Sequence, residues 1–203
     1  ILRARVDLLW FGGIGTFVRG AEEPNESVGD RANDAVRITA DELRVAVVGE
    51  GANLGMTQQA RIAFGLAGGR CNTDAIDNSA GVNTSDIEVN IKIALDNAVR
   101  DGQLDLKKRS RLLAAMTGDV SALVLQQNYS QTLAISLTQG RGLEDLGFQL
   151  RLMREFERRG LLDRAVEGLP DDAEIAERQK AGKPLTRAEI AVLIGYAKIV
   201  IFD

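Results

Sequence analysis

The chain has 203 residues, enough for one good-sized domain or one domain with part of another, and its 45% hydrophobic and 27% charged residues are ordinary for a globular protein. A net charge of −4 and only 4% aromatic residues give no electrostatic or stacking basis for a nucleic-acid partner, and no apolar run nears the ~20 residues of a membrane span. With no histidine and one cysteine, Cys71, the chain has no His-dependent triad, no His metal site and no internal disulfide. We expect a reducing, cytoplasmic setting with Cys71 as a buried bystander, and no resident metal.

In chain order, "VDLLWFGGIGTFV" (6–18) is an apolar strand running into glycines. "RGAEEPNESVGD" (19–30) is a polar loop, and "DRANDAVRI" (30–38) predicts one short helix with Asp30 as N-cap. "ELRVAVVGE" (42–50) is Val-rich, the pattern of a strand covered on both faces and central in a parallel sheet. Thr57 caps the helix "QQARIAFGLA", which Gly68-Gly69 stop. "RCNTDAIDN" (70–78) predicts a weaker strand. "SDIEVNIKIALDNAVRDG" (85–102) fits either alternation or one helical face. Its length, Gly102 and the capping box Ser85-x-x-Glu88 favour a helix that starts at Ser85.

After residue 104 strand-like runs disappear. "DLKKRSRLLAAMTG", "DVSALVLQQNYSQTLAISL", "GLEDLGFQLRLMREFERRG" and "DDAEIAERQKAG" each read as helices, and a second capping box, Thr186-x-x-Glu189, opens "RAEIAVLIGYAKIVIF". The fold class is α/β, an incomplete Rossmann-like parallel sheet over residues 1–104, followed by an all-α region over 105–203. A start at Ile1 within a strand-like run, and a stop at "YAKIVIFD" without a tail, lead us to expect an excerpt of a longer polypeptide.

In an open parallel sheet, ligands bind at the carboxyl ends of the strands. Three such ends carry small or amide residues: "FGGIGT" (11–16), "GEGAN" (49–53) and "DNSAGV" (77–82). Gly51 and Gly81 allow close approach of a flat ligand, and Asn53 and Asn78 carry both a donor and an acceptor, as a carboxamide requires. Each piece also has a structural reading. "GGIG" lacks the G-x-G-x-x-G spacing of a dinucleotide fingerprint, because Val18 stands where its last glycine belongs. Glu50 fits a hydrogen-bonded turn, both asparagines fit turns, and Ser85 fits a helix cap.

The order of these pieces resembles the glutamate dehydrogenase family. Its pattern E-G-A-N-G-P-T-T is matched at Glu50, Gly51, Ala52, Asn53 and Thr57. Its later pattern P-D-x-x-x-N-A-G-G-V-x-x-S-x-x-E is matched at Asp74, Asn78, Gly81, Val82, Ser85 and Glu88. Leu54, Gly55 and Met56 replace Gly-Pro-Thr, and Thr73, Ser79 and Ala80 replace Pro, Ala and Gly. With these departures, the stretches "LLWFGGIGTFV", "GDRANDAVRI" and "LTRAEIAVLIGYAKI" resemble the large bacterial NAD-dependent glutamate dehydrogenases across essentially the whole chain.

The resemblance implies NAD as cofactor, with Glu50, Gly51, Asn53, Asn78 and Gly81 on the cofactor side. Asn53 is implied to lie by the nicotinamide and its ribose, Asn78 near the nicotinamide carboxamide. Ser85 is implied to bind the side-chain carboxylate of glutamate. The family's catalytic Lys and Asp, and its glycine fingerprint, are expected upstream, so no catalytic residue is assigned here. The partners implied are L-glutamate and 2-oxoglutarate, the rest of the parent chain, and further copies in a homo-oligomer. The other reading open at this point is a helical interaction module on a degenerate, non-binding α/β scaffold.

Overall fold

The computed structural model describes residues 1–202. Strand β1 (Leu8–Phe11) pairs in parallel with β4 (Val47–Glu50), in the register Leu8↔Val47 to Phe11↔Glu50. On the other side of β4, the third strand expected at 70–78 contracts to one bridge. The Val48 amide donates to the Arg70 carbonyl and the Arg70 amide to that of Ala46. β4 is therefore central, as its Val-rich run predicts, but it is not covered on both faces as expected, because nothing among the described residues packs over the face that carries Val47. Between β1 and β4 run the short strands β2 (Val18–Arg19) and β3 (Ile38–Thr39), themselves a parallel pair, and helix α1 (Asn25–Val28). The helix expected over 30–38 is a 3₁₀ turn at Arg31–Asn33. The Asp30 carboxylate does not cap it, because it accepts instead from the Thr16 amide (2.8 Å) and Asn33 Nδ2 (2.7 Å).

Helix α2 (Gln58–Leu66) follows β4 and is capped by Thr57 Oγ1, which accepts from the Ala60 amide. It lies on the face of the sheet that carries Phe11 and Val48, and closes a core with Val18, Ile38, Met56, Phe64 and Cys71. The opposite face carries Leu8, Trp10 and Val47, all exposed.

Two corrections concern the segment after α2. Residues Asp74–Asp77 form a helical turn, α3, and helix α4 starts directly after it at Ser79 and runs to Arg100. Ser85 is thus inside α4 rather than at its start. Thr84 Oγ1 donates to the Ala80 carbonyl one turn back, and Glu88 pairs with Lys92 at 2.5 Å instead of closing a capping box. The segment "SAGVNT" hides this start, since it offers no apolar periodicity.

Beyond residue 104 the described residues contain helices and no strand. The two helices expected first are one, α5 (Leu106–Arg141), roughly 54 Å long at 1.5 Å per residue. Gly118 faces open space in the middle of this continuous helix, so it costs helix stability without breaking it. α5 runs along α4 and then packs on α9 (Arg187–Phe202) and α6 (Leu143–Arg158), while α8 (Asp172–Lys180) packs on α6 and the short α7 (Arg164–Glu167) lies between α6 and α8 in the chain. Ile135, Leu146, Met153, Phe156, Ile175 and Ile190 form their core, joined by Ile76 of α3. The Thr186 capping box is present: the Thr186 amide donates to Glu189 Oε2 (2.6 Å) and the Glu189 amide to Thr186 Oγ1 (3.3 Å).

Two outcomes follow from this packing. Burial pushes the Cys71 thiol up to about 12, so at pH 8 it is protonated and enclosed. A thiol reagent such as DTNB should leave the folded chain unmodified at pH 8 and label it stoichiometrically in denaturant; rapid native labelling would contradict the burial. The exposed sheet face, with Leu106, Leu125, Tyr129 and Leu137 along α5, predicts self-association of the isolated 203-residue chain. Sedimentation at rising concentration should show a growing mean mass, and a constant monomer mass would count against it.

Candidate active-site edge

The chain leaves β4 at Glu50 and turns through residues 51–56 before α2. Glu50 points inward and is 1% exposed. Its Oε2 accepts from Arg61 Nε (2.7 Å), and its Oε1 accepts from Arg61 Nη2 (2.9 Å) and from the Met56 amide (3.0 Å). Burial pushes the Glu50 carboxyl up against the pull of Arg61. The same burial works against the Arg61 charge, but Glu50 outweighs it and Arg61 stays a cation. The whole Glu50 residue, backbone included, is enclosed, and its carboxylate is used inside.

Two carboxylates of α3 hold the same loop from the other side. Asp74 Oδ2 accepts from the Leu54 amide (2.8 Å), and its Oδ1 lies 3.3 Å from Arg61 Nη2. Asp77 Oδ2 accepts from the Glu50 amide (3.0 Å), and burial pushes the Asp77 carboxyl up against this donation and that of Asn72. Opposite, the Phe17 amide donates to the Gly55 carbonyl and the Thr57 amide to that of Val18. The loop is fixed from three directions.

This frame brings Asn53 and Asn78 together. Asn78 Nδ2 donates to Asn53 Oδ1 at 2.7 Å, with Asn53 exposed and Asn78 half-buried at the junction of α3 and α4. That bond leaves Asn53 Nδ2 as a donor and Asn78 Oδ1 as an acceptor, neither of them bonded within the described residues. One donor and one acceptor side by side complement a primary carboxamide.

The glycines have steric jobs. A Cβ on Gly81 would stand 2.6 Å from Asn78 Oδ1, so Gly81 makes room for the Asn78 side chain. A Cβ on Gly51 would stand 2.3 Å from the Trp10 indole, which lies against the turn. Ser85 is exposed on α4, seven residues past Asn78 and so on the same helix face, about 10 Å along the axis. Because α4 begins at Ser79, its N-terminus lies at Asn78 rather than at Ser85, and the Gly81 and Val82 amides donate to the Asn78 carbonyl.

Sequence reasoning missed the roles of Arg61, Asp77 and Leu54. Leu54 has φ 64°, and it alone among the described non-glycine residues has positive φ. A left-handed leucine costs about 1–2 kcal/mol. The signal was its standing where the resembling pattern has glycine.

A family model described as bacterial NAD-glutamate dehydrogenase, catalytic domain, matches residues 1–138. An NAD-specific glutamate dehydrogenase of Pseudomonas aeruginosa is 57% identical over 199 residues, 98% of this chain. Proteins of the same name from Halomonas elongata and Mycobacterium tuberculosis are 49% and 44% identical over 99% and 98% of the chain. The chain spans only 12% of the length of each of these relatives. At such identity, over nearly its whole length, the chain belongs to the bacterial NAD-glutamate dehydrogenase family.

Proposed function

We propose that this chain is the later part of the dinucleotide-binding domain (1–104) and the start of a helical region (105–203) in an enzyme that oxidises L-glutamate to 2-oxoglutarate and ammonia with NAD. The observation that carries the reading is the Asn53–Asn78 pair at the carboxyl end of β4, with one donor and one acceptor left for a carboxamide. NAD supplies the hydride acceptor when bound. Asn53 and Asn78 hold the nicotinamide amide and so fix which ring face meets the substrate. Glu50 and Gly51 contribute through the turn: the first anchors it, and the second lets it pass beneath Trp10. Gly81 keeps Asn78 in reach of Asn53. Ser85, further along the same face of α4, offers its hydroxyl to the side-chain carboxylate of glutamate.

These groups bind and orient, and orientation is what they contribute to rate. Proton transfer is left to residues of the parent outside this chain. An assembly role for the helical region is compatible with this and is favoured by the exposed apolar side chains of α5.

The tests use the full-length parent. Asn53→Ala should lose a hydrogen bond of about 0.5–1.5 kcal/mol, which lowers kcat/KM for NAD up to roughly tenfold. Gly81→Ala should act on the same parameter, because its methyl group displaces the Asn78 carboxamide. Ser85→Ala should raise KM for glutamate with no fall in melting temperature, since alanine suits an exposed mid-helix position. Unchanged kinetics in all three variants would reject the site. The isolated 203 residues should produce no NADH from glutamate, and clear turnover by them would show that the chain carries a whole site.

A further inference from the structure

We propose that Leu54 is a ligand-contact residue: its side chain packs against the apolar face of the flat ring whose amide Asn53 and Asn78 hold. The proposal rests on the nicotinamide reading above. Three observations meet at this residue. Its backbone is left-handed, with φ 64°, a conformation in which a branched apolar side chain is strained and glycine is not. The conformation is imposed from outside: the Leu54 amide is bound by Asp74, and the flanking loop is tied to Glu50 and to residues 17–18. The strained side chain joins neither hydrophobic core, and Leu54 is 62% exposed. Neither backbone preference nor core packing therefore accounts for a leucine here.

What stands beside it does. Leu54 directly follows Asn53, whose carboxamide is paired with Asn78 and leaves a donor and an acceptor open. A planar amide-bearing ring has a polar edge and two apolar faces. The asparagines satisfy the edge, and an adjacent apolar side chain covers a face. Strain held in place by surrounding structure, at a position outside the core, is a common feature of ligand sites.

The experiment compares Leu54→Gly, Leu54→Asn and Leu54→Met with Asn53→Ala in the full-length parent. It reads KM for NAD, Kd for NADH by fluorescence quenching, and melting temperature. Glycine and asparagine both tolerate the left-handed backbone, so these two variants should hold or raise the melting temperature. The same two should weaken NADH binding and raise KM for NAD by about 3- to 10-fold, the share of a leucine contact that a ring face covers. Leu54→Met keeps the apolar area and should stay near wild type. A melting temperature that falls in Leu54→Gly and Leu54→Asn with NADH affinity unchanged would overturn the proposal and assign Leu54 to packing within the parent. Unchanged affinity and unchanged stability would overturn it equally. If Asn53→Ala weakens NADH binding while all Leu54 variants bind normally, only this inference fails. If Asn53→Ala also binds normally, the nicotinamide reading fails with it.

Discussion

The edge of the sheet depends on one buried ion pair. Glu50 and Arg61 are both withdrawn from water, and each ion gives up several kcal/mol of hydration, roughly what their mutual attraction returns. Such a pair adds little net stability. It does decide geometry, because an unpaired partner left behind would cost about 3–5 kcal/mol. Any alternative course of residues 51–56 that turns Glu50 outward meets that penalty, and the Met56 amide bond to Glu50 Oε1 ties the turn to the same carboxylate. A charge at the end of an apolar strand is thus the anchor of the turn, and the amide three residues later is what the turn presents.

The same constraint explains why 74–77 is a helix. Asp74 and Asp77 both reach back to one loop, to the amides of Leu54 and Glu50. Residues three apart share a face of a helix and lie on opposite faces of a strand. A strand through "TDAIDN" would aim one of these carboxylates away and leave a loop amide without its acceptor. Tertiary demand on two side chains therefore outweighs the local pattern. The two motifs, separated by some twenty residues of sequence, form one hydrogen-bonded unit: Glu50 with Asp77, Leu54 with Asp74, Asn53 with Asn78.

Where the governing interaction is local, the sequence was enough. The apolar runs at β1 and β4, the Thr57 cap, the Thr186 box and the helical second half all rest on neighbours within four residues or on simple periodicity. The failures share a different cause. The pattern Ser85-x-x-Glu88 looks the same inside a helix as at its start, and it is the start of α4 at Ser79 that tells them apart. Asp30 looks like a cap but serves Thr16, fourteen residues away. Of the candidate site, Asn53, Asn78 and Gly81 were singled out through motif order, and the fold brings the three together. The inward turn of Glu50 and the left-handed Leu54 were not, because both follow from partners that no local pattern announces.

The helical region is not separate from this edge. Arg187 of α9 donates to Asn72 Oδ1 (2.9 Å), and Asn72 Nδ2 donates to Asp77 Oδ1 (2.7 Å), whose other oxygen holds the Glu50 amide. Asn128 of α5 donates to the Ile76 carbonyl and to Ser79 Oγ, and so fixes the junction from which Asn78 extends. The Arg187 guanidinium also donates to Ser136 and Gln139 of α5 and has no carboxylate within ion-pair reach among the described residues, so its buried charge is offset by neutral acceptors that it binds together. Displacing α9 would free Asn72 and loosen Asp77 before it touched the loop. Support that reaches Glu50 through two intervening side chains is one way a strained residue such as Leu54 is kept in place, since local strain persists only where its surroundings over-determine it. Residues beyond 138, outside the part matched as catalytic domain, thus help to set the position of the turn that carries Asn53.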